Sequence, residues 1–171
     1  MAKYNLKWTG FDNYLKFLET MEVHSESAAK SALGQGAKVC ADEVKKRIQS
    51  MPAVPDAENV KAYNNDKPYR LSVSQKAGLL AGLGIAGHKA TAFDVNTSIG
   101  FDGYNDVRTN KYPNGQPNQL VARIYENGTS YSAKMPFVRP AKNACKGKVE
   151  AAMVAAFNKY VESVKRDKGI S

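Results

Sequence analysis

The chain has 171 residues, 43% of them hydrophobic, which fits one domain with a true core better than two. It contains no apolar run of about 18 residues, and the N-terminus lacks the apolar stretch of a signal peptide, so we expect a soluble protein made in the cytoplasm. The formal net charge of +9 indicates either a polyanionic partner or a solvated basic surface, and composition leaves both open. Cys40 and Cys145 lie in separate apolar helical stripes, which favours free thiols over a disulfide.

The first part of the chain predicts one strand and two helices. Alternating polar and apolar residues predict a strand over residues 3–8, and a short helix follows, ending near Met21. Ser25 is a suitable cap for a second, longer helix, and we expect Gly34 or Gly36 to admit a close neighbour. This helix carries an apolar stripe made of Ala29, Leu33, Ala37, Cys40, Val44, Ile48 and Met51, and Pro52 ends it.

The middle of the chain predicts a loop and then a sheet. Residues 52–76 are rich in Pro, Asn, Asp and Lys without a period, which predicts a long, mobile loop. Three strands are expected, over residues 78–85, 93–101 and 119–126, with a hairpin turn at residues 88–91. Val121, Arg123 and Tyr125 would share one face of the third strand. Since its other face is apolar too, we expect that strand to be central or to contact another subunit.

The last predicted helix spans residues 140–164, and a short basic tail follows at residues 165–171. Its inner side would consist of Cys145, Val149, Met153, Phe157, Tyr160 and Val164. A step of about 100° per residue places Lys148, Lys159 and Arg166 within about 20° of one another, which predicts a basic ridge. The fold class is therefore α+β in a single domain over residues 1–171. Long N-terminal and C-terminal helices would pack on a small, mainly antiparallel sheet of about three to four strands.

No catalytic or metal-binding pattern stands out. His24 and His88 are the two histidines, and neither has a His, Cys or carboxylate three or four residues on. Glu126 has no visible catalytic partner, so we expect it to fix a loop by a hydrogen bond or an ion pair. The sequence predicts a protein that is not an enzyme and needs no cofactor or metal.

In residues 125–141, here called the hinge segment, we expect a strand to end, a loop to follow and a helix to begin. Gly128 supplies the backbone freedom to leave the strand abruptly. Pro136 and Pro140 delay the helix and then start it, because proline fits only the first helical turn.

Four stretches together resemble the phage tail-component family named after gene ten of phage HK-97. They are residues 78–85 (Gly-Leu-Leu-Ala-Gly-Leu-Gly-Ile), 99–104 (Ile-Gly-Phe-Asp-Gly-Tyr), 121–129 (Val-Ala-Arg-Ile-Tyr-Glu-Asn-Gly-Thr) and 136–141 (Pro-Phe-Val-Arg-Pro-Ala). The most specific part is Glu126, Gly128 and Thr129 followed by Pro136, Phe137 and Pro140. The resemblance covers about residues 10–165. The chain departs from the family pattern at Ala77, where a threonine is usual, and in the length of its 52–76 link.

The resemblance implies a structural virion protein at the neck or upper tail of a long-tailed phage or prophage. Such a protein forms a homo-oligomeric ring, commonly of six copies, between the head connector and the tail tube or tail terminator. Either the basic ridge of Lys148, Lys159 and Arg166 or the loop at residues 52–76 would then face the lumen and the DNA that passes through it. The alternative is a free-standing basic protein that binds nucleic acid through the same helix.

Overall fold

The structure is a computed structural model that describes residues 11–91 and 94–169. The strand expected at residues 3–8, part of the strand expected at residues 93–101 and the last two residues of the tail lie outside the described residues. The described chain is α+β, as predicted, with long N-terminal and C-terminal helices. Its elements are α1 (Phe11–Ser50), α2 (Asp56–Asn64), α3 (Val73–Gly82), β1 (Leu83–Ile85), β2 (Lys89–Ala90), β3 (Val95–Asn96), β4 (Ile99–Phe101), α4 (Asn118–Asn127) and α5 (Val138–Lys168).

The N-terminal region forms one helix rather than two. α1 contains 40 residues and is about 60 Å long at the usual rise of 1.5 Å per residue. Ser25 does not cap a second helix, because its hydroxyl donates to the Glu22 carbonyl one turn back, at 3.0 Å. Neither proline nor glycine interrupts the chain between residues 11 and 33, so nothing ends the helix there. The predicted stop before Pro52 is confirmed.

α1 and α5 pack against each other along most of their length. In the half of this pair that is farther from Pro52, here called the outer half, α1 buries a line of small residues, Ala28, Ala32 and Gly36. Ala29 and Leu33 of the predicted stripe are only half-buried there. A methyl group on Gly36 would meet the side chains of Met153 and Val149, so Gly36 is the glycine that admits a close neighbour. On α5, Phe157 is 39% exposed, so its assignment to the inner side was wrong.

Residues 52–76 are an ordered segment and not a long loop. α2 occupies its centre, and backbone hydrogen bonds join the two ends of the segment. The Val54 N–H donates to the Leu71 carbonyl at 2.8 Å, and the Val54 carbonyl accepts from the Val73 N–H at 3.0 Å. Asp56 accepts bonds from the N–H and hydroxyl of Ser74. The amide group of the buried Asn59 donates to the Arg70 carbonyl. Polar contacts hold this segment, which explains why it lacks an apolar period.

The sheet is a long antiparallel hairpin formed by two short ladders. β1 pairs with β4 and β2 with β3, so the first two predicted strands do pair, but each is shorter than expected. Residues 88–91 do not form the turn, because Lys89 and Ala90 are paired in β2 and the Thr91 N–H donates to the Asp94 carbonyl at 2.8 Å. Residues 73–82, expected to hold the end of the loop and the start of the first strand, form α3, which begins with a capping box between Ser72 and Gln75.

The third predicted strand is wrong, because residues 118–127 form α4. An amphipathic helix has apolar residues at spacings of three and four. If the same stretch is taken for a strand, this spacing puts apolar residues on both of its faces. Val121 and Tyr125 are 0% and 1% exposed, inside the core shared by α1, α3, α4 and the start of α5. They cannot form a subunit interface, whereas Arg123 on the opposite side of α4 is exposed.

Candidate assembly surfaces

The hinge segment joins two helices. α4 ends at Asn127, and Gly128 follows it with a φ of 77°, a conformation that favours glycine. The Gly128 N–H donates to the Ile124 carbonyl at 2.7 Å. Thr129 then closes a turn with Ser132, and α5 begins at Val138, so Pro140 lies in the first helical turn as predicted. Pro136 is exposed just before the helix. Only the element before the loop was wrong, a helix in place of a strand.

Glu126 fixes the hinge segment, as expected. Its carboxylate accepts bonds from the backbone N–H groups of Phe137 and Val138, both at 2.8 Å, and of Arg139, at 2.9 Å. These are the first N–H groups of α5, which have no partner inside the helix. Partial burial alone would raise the pKa of Glu126, but the three N–H donors outweigh it and hold the pKa below its usual value. α4 therefore supplies the anionic cap of α5.

A buried network of polar side chains holds the start of the hinge segment in place. The Tyr125 hydroxyl contacts the amide oxygen of Gln75 at 3.3 Å, and the Gln75 amide nitrogen donates to Gln116. Burial raises the pKa of Tyr125, so this phenol stays protonated and able to donate. Phe137 is 1% exposed and meets Phe101 edge to face, with ring centroids 5.8 Å apart. The hinge segment is thus anchored on both the helical and the sheet side.

The three residues of the predicted basic ridge, Lys148, Lys159 and Arg166, are all exposed on α5. Residues 165–168, predicted as a tail, continue the helix and bring Arg166 into line with the other two. Within the described residues, none of the three forms an ion pair. Lys159 also borders a groove of about 510 Å³ between α1 and α5. This flank of α5 is therefore cationic and unneutralised.

The opposite flank of α5 is different in chemistry. Val154 and Phe157 are 61% and 39% exposed there, about half a helical turn away from the basic ridge. Toward the hinge segment the same flank borders a groove of about 390 Å³, which lies between the two long helices and residues Thr97 and Ile99 of the hairpin. Lys142 and Lys146 line this groove as well.

The two cysteines, distant in sequence, meet in that groove as free thiols. Burial and the adjacent thiol of Cys145 raise the pKa of Cys40 to about 11. A thiol with so high a pKa is almost wholly protonated at neutral pH and is a poor nucleophile. The pair therefore acts as packing between the two helices.

Elsewhere, His24 lies half-buried between the two long helices, where its ring nitrogen is 3.4 Å from the Tyr160 hydroxyl. His88 is exposed on the hairpin. Across residues 11–91 and 94–169, no group of three or more His, Cys, Asp or Glu side chains is placed to hold a metal ion. In the same ranges, no helix has the length and apolar character needed to cross a membrane.

Comparisons with protein-family models, with curated proteins and with solved structures found no match to this chain.

Proposed function

We propose that this chain is a structural virion protein of a long-tailed bacteriophage or prophage, which forms a ring at the neck or upper tail and helps to join head and tail. The observation that carries the proposal is the contrast between the two flanks of α5. A ring forms by head-to-tail contact, which needs two different surfaces that complement each other in neighbouring copies. The flank with the exposed Val154 and Phe157 offers one such surface, and the basic ridge lies on the other flank, where it is free to face the lumen.

The family resemblance agrees with this proposal at the elements that carry it. A long N-terminal helix, a short sheet, a turn at Gly128 and Thr129, and a last helix whose first turn contains Pro140 occur in the order that the resemblance implies. The stretch at residues 78–85 differs, since its first half belongs to α3. The six-fold ring, its contacts with connector and tail-tube or terminator proteins, and a location in the virion remain parts of the proposal.

The proposal is tested by electron microscopy of lysates from a phage or prophage with an early stop codon in this gene. Filled heads and separate, abnormal tails should accumulate, because a joining component is needed only after both parts exist. Complementation with the intact gene should restore virions. Normal virions in the absence of the protein would overturn the proposal.

A second candidate function is that of a free-standing nucleic-acid-binding protein, favoured by the unneutralised basic ridge. Lysines and arginines that neutralise phosphates make affinity fall steeply with salt. Tight DNA binding by the isolated protein, with a steep salt slope, would support this candidate, and negligible binding at physiological salt would support the ring.

If the basic ridge faces DNA in the channel, changing Lys148, Lys159 and Arg166 together to glutamate should impair DNA ejection or the stability of packaged heads while rings still form. The reason is that the reversal turns attraction for phosphate into repulsion without touching the core. Phage titre and negative-stain images of purified protein are the measurements. The matched control reverses three exposed lysines of α1, Lys38, Lys45 and Lys46, for the same change in net charge. Equal titres for the two triple variants would contradict a role of the ridge.

A further inference from the structure

Three tyrosines line one surface pocket at the end of α2. The pocket has a volume of about 400 Å³ and contains the side chains of Tyr63, Tyr69 and Tyr131. The rings of Tyr63 and Tyr69 have centroids 5.2 Å apart and are inclined by 51°. The Tyr69 N–H donates to the Tyr131 carbonyl at 2.8 Å, which ties the two walls together. A backbone hydrogen bond thus joins two walls of the pocket.

A carboxylate shares this pocket with the rings. Asp66 follows the last turn of α2 with a φ of 51°, and its N–H donates to the Tyr63 carbonyl at 3.3 Å. Within the described residues its carboxylate makes neither a hydrogen bond nor an ion pair. On the next wall the side-chain oxygen of Asn64 accepts from the Asn110 N–H at 3.1 Å. Three tyrosines and a carboxylate that forms no ion pair in the described part of the chain therefore share the lining of this pocket with Lys111.

Such a lining is suited to a cation, because ring faces and a carboxylate attract positive charge together. The chain already shows this preference at the border of the pocket, where the Lys111 ammonium lies 5.7 Å from the Tyr112 ring centroid. Burial, the neighbouring phenols of Tyr112 and Tyr69, and then Asp66 raise the pKa of Tyr63. The last contribution indicates that the Asp66 charge acts on the Tyr63 ring.

We propose that the pocket formed by Tyr63, Asp66, Tyr69 and Tyr131 binds an organic cation, namely a guanidinium or alkylammonium group. The group can belong to an arginine or lysine side chain of a second copy of this chain, or to a free diamine. Sugars and nucleobases could stack on the rings, but they would leave the carboxylate unused. Binding of the cation itself does not depend on the proposed function, and only the second-copy source rests on it.

The test is an NMR titration of the full chain with ethylguanidinium and with its neutral analogue ethylurea. Ethylguanidinium should shift the signals of residues around the pocket, and ethylurea should not. Tyr131→Leu and Asp66→Asn should each weaken the binding about two- to fivefold, and Tyr131→Phe should keep it, since phenylalanine retains the ring face. Lys111→Met should strengthen it by removing a competing positive charge. Equal shifts with both probes, or equal affinity in Tyr131→Leu, would overturn the proposal.

These variants are expected to fold. Tyr131 is 44% exposed, and asparagine accepts the backbone conformation of Asp66 readily. Ring assembly of Tyr131→Leu, followed by sedimentation, then identifies the source of the cation. Weakened assembly assigns it to a neighbouring copy, and unchanged assembly with loss of ethylguanidinium binding assigns it to a free cation. If the chain forms no ring, the NMR titration still shows whether the pocket binds a cation.

Discussion

Replacing Glu126 with alanine should lower the free energy of unfolding by about 2–3 kcal/mol, because three backbone N–H groups at the start of α5 lose a charged acceptor. Glu126→Gln keeps the shape and one neutral acceptor, so we expect a loss of about 1 kcal/mol. Urea denaturation followed by circular dichroism measures both. Glu150→Ala is the matched control, since Glu150 is an exposed glutamate on α5 that caps nothing, and its effect should stay within about 0.5 kcal/mol.

The effect of Glu126 should also depend on pH in one direction. Its pKa in the folded chain lies below the usual value of 4.5, so the carboxylate favours the folded state fully above that value. The contribution is lost as the pH falls through the folded pKa. The stability difference between the wild-type chain and Glu126→Gln should therefore be constant above about pH 5.5 and shrink toward pH 3. A difference that is the same at pH 3 and pH 7 would show that the charge is not what stabilises the cap.

Replacing Gly82 with alanine should destabilise the chain by about 2–3 kcal/mol. A methyl group at Gly82 would overlap the carbonyl oxygen of Asp102 and approach the Asn118 amide, which itself donates to that carbonyl at 2.8 Å. The Asp102 N–H also donates to the Gly82 carbonyl at 2.8 Å, so the backbone cannot move away without losing a bond. The midpoint of thermal unfolding is the measurement.

Gly84→Ala is the control for Gly82→Ala. Gly84 is exposed two residues away in β1, its φ is not positive, and a methyl group there would meet nothing within 4 Å. We expect no loss, or a small gain of up to about 0.5 kcal/mol from a less flexible unfolded chain. Equal midpoints for the two variants would contradict the close contact at Gly82.

The sequence was informative where apolar periodicity or a single backbone constraint determines the structure. The long stripe that includes Val44 and Ile48 predicted the core side of α1. Within the hinge segment, Gly128 marked the end of one element and Pro140 the first turn of α5. The role of Glu126 in fixing that segment was also predicted, because the sequence shows no catalytic partner for this carboxylate. In each case one strong local preference agrees with the tertiary contacts.

The errors occurred where two periods fit the same residues or where polar contacts replace apolar ones. Residues 119–126 are short enough that alternation and helical spacing coincide, and only the burial of Val121 and Tyr125 decides between them. The segment at residues 52–76 depends on buried amides such as Asn59 and Gln75, whose partners are distant in sequence. The tyrosine pocket was not predicted either, because Tyr131 is distant in sequence from the other tyrosines that line it.

The small-residue line on α1 bears on the order in which the molecule folds and opens. Ala28, Ala32 and Gly36 bring α1 and α5 close together but bury little apolar area per residue, so the outer half of the pair contributes less free energy than the core around Ile48. The two helices are also separated by most of the chain, and closing so long a loop is slow. We therefore expect the body to fold first, with the outer half pairing last and unfolding locally before the rest.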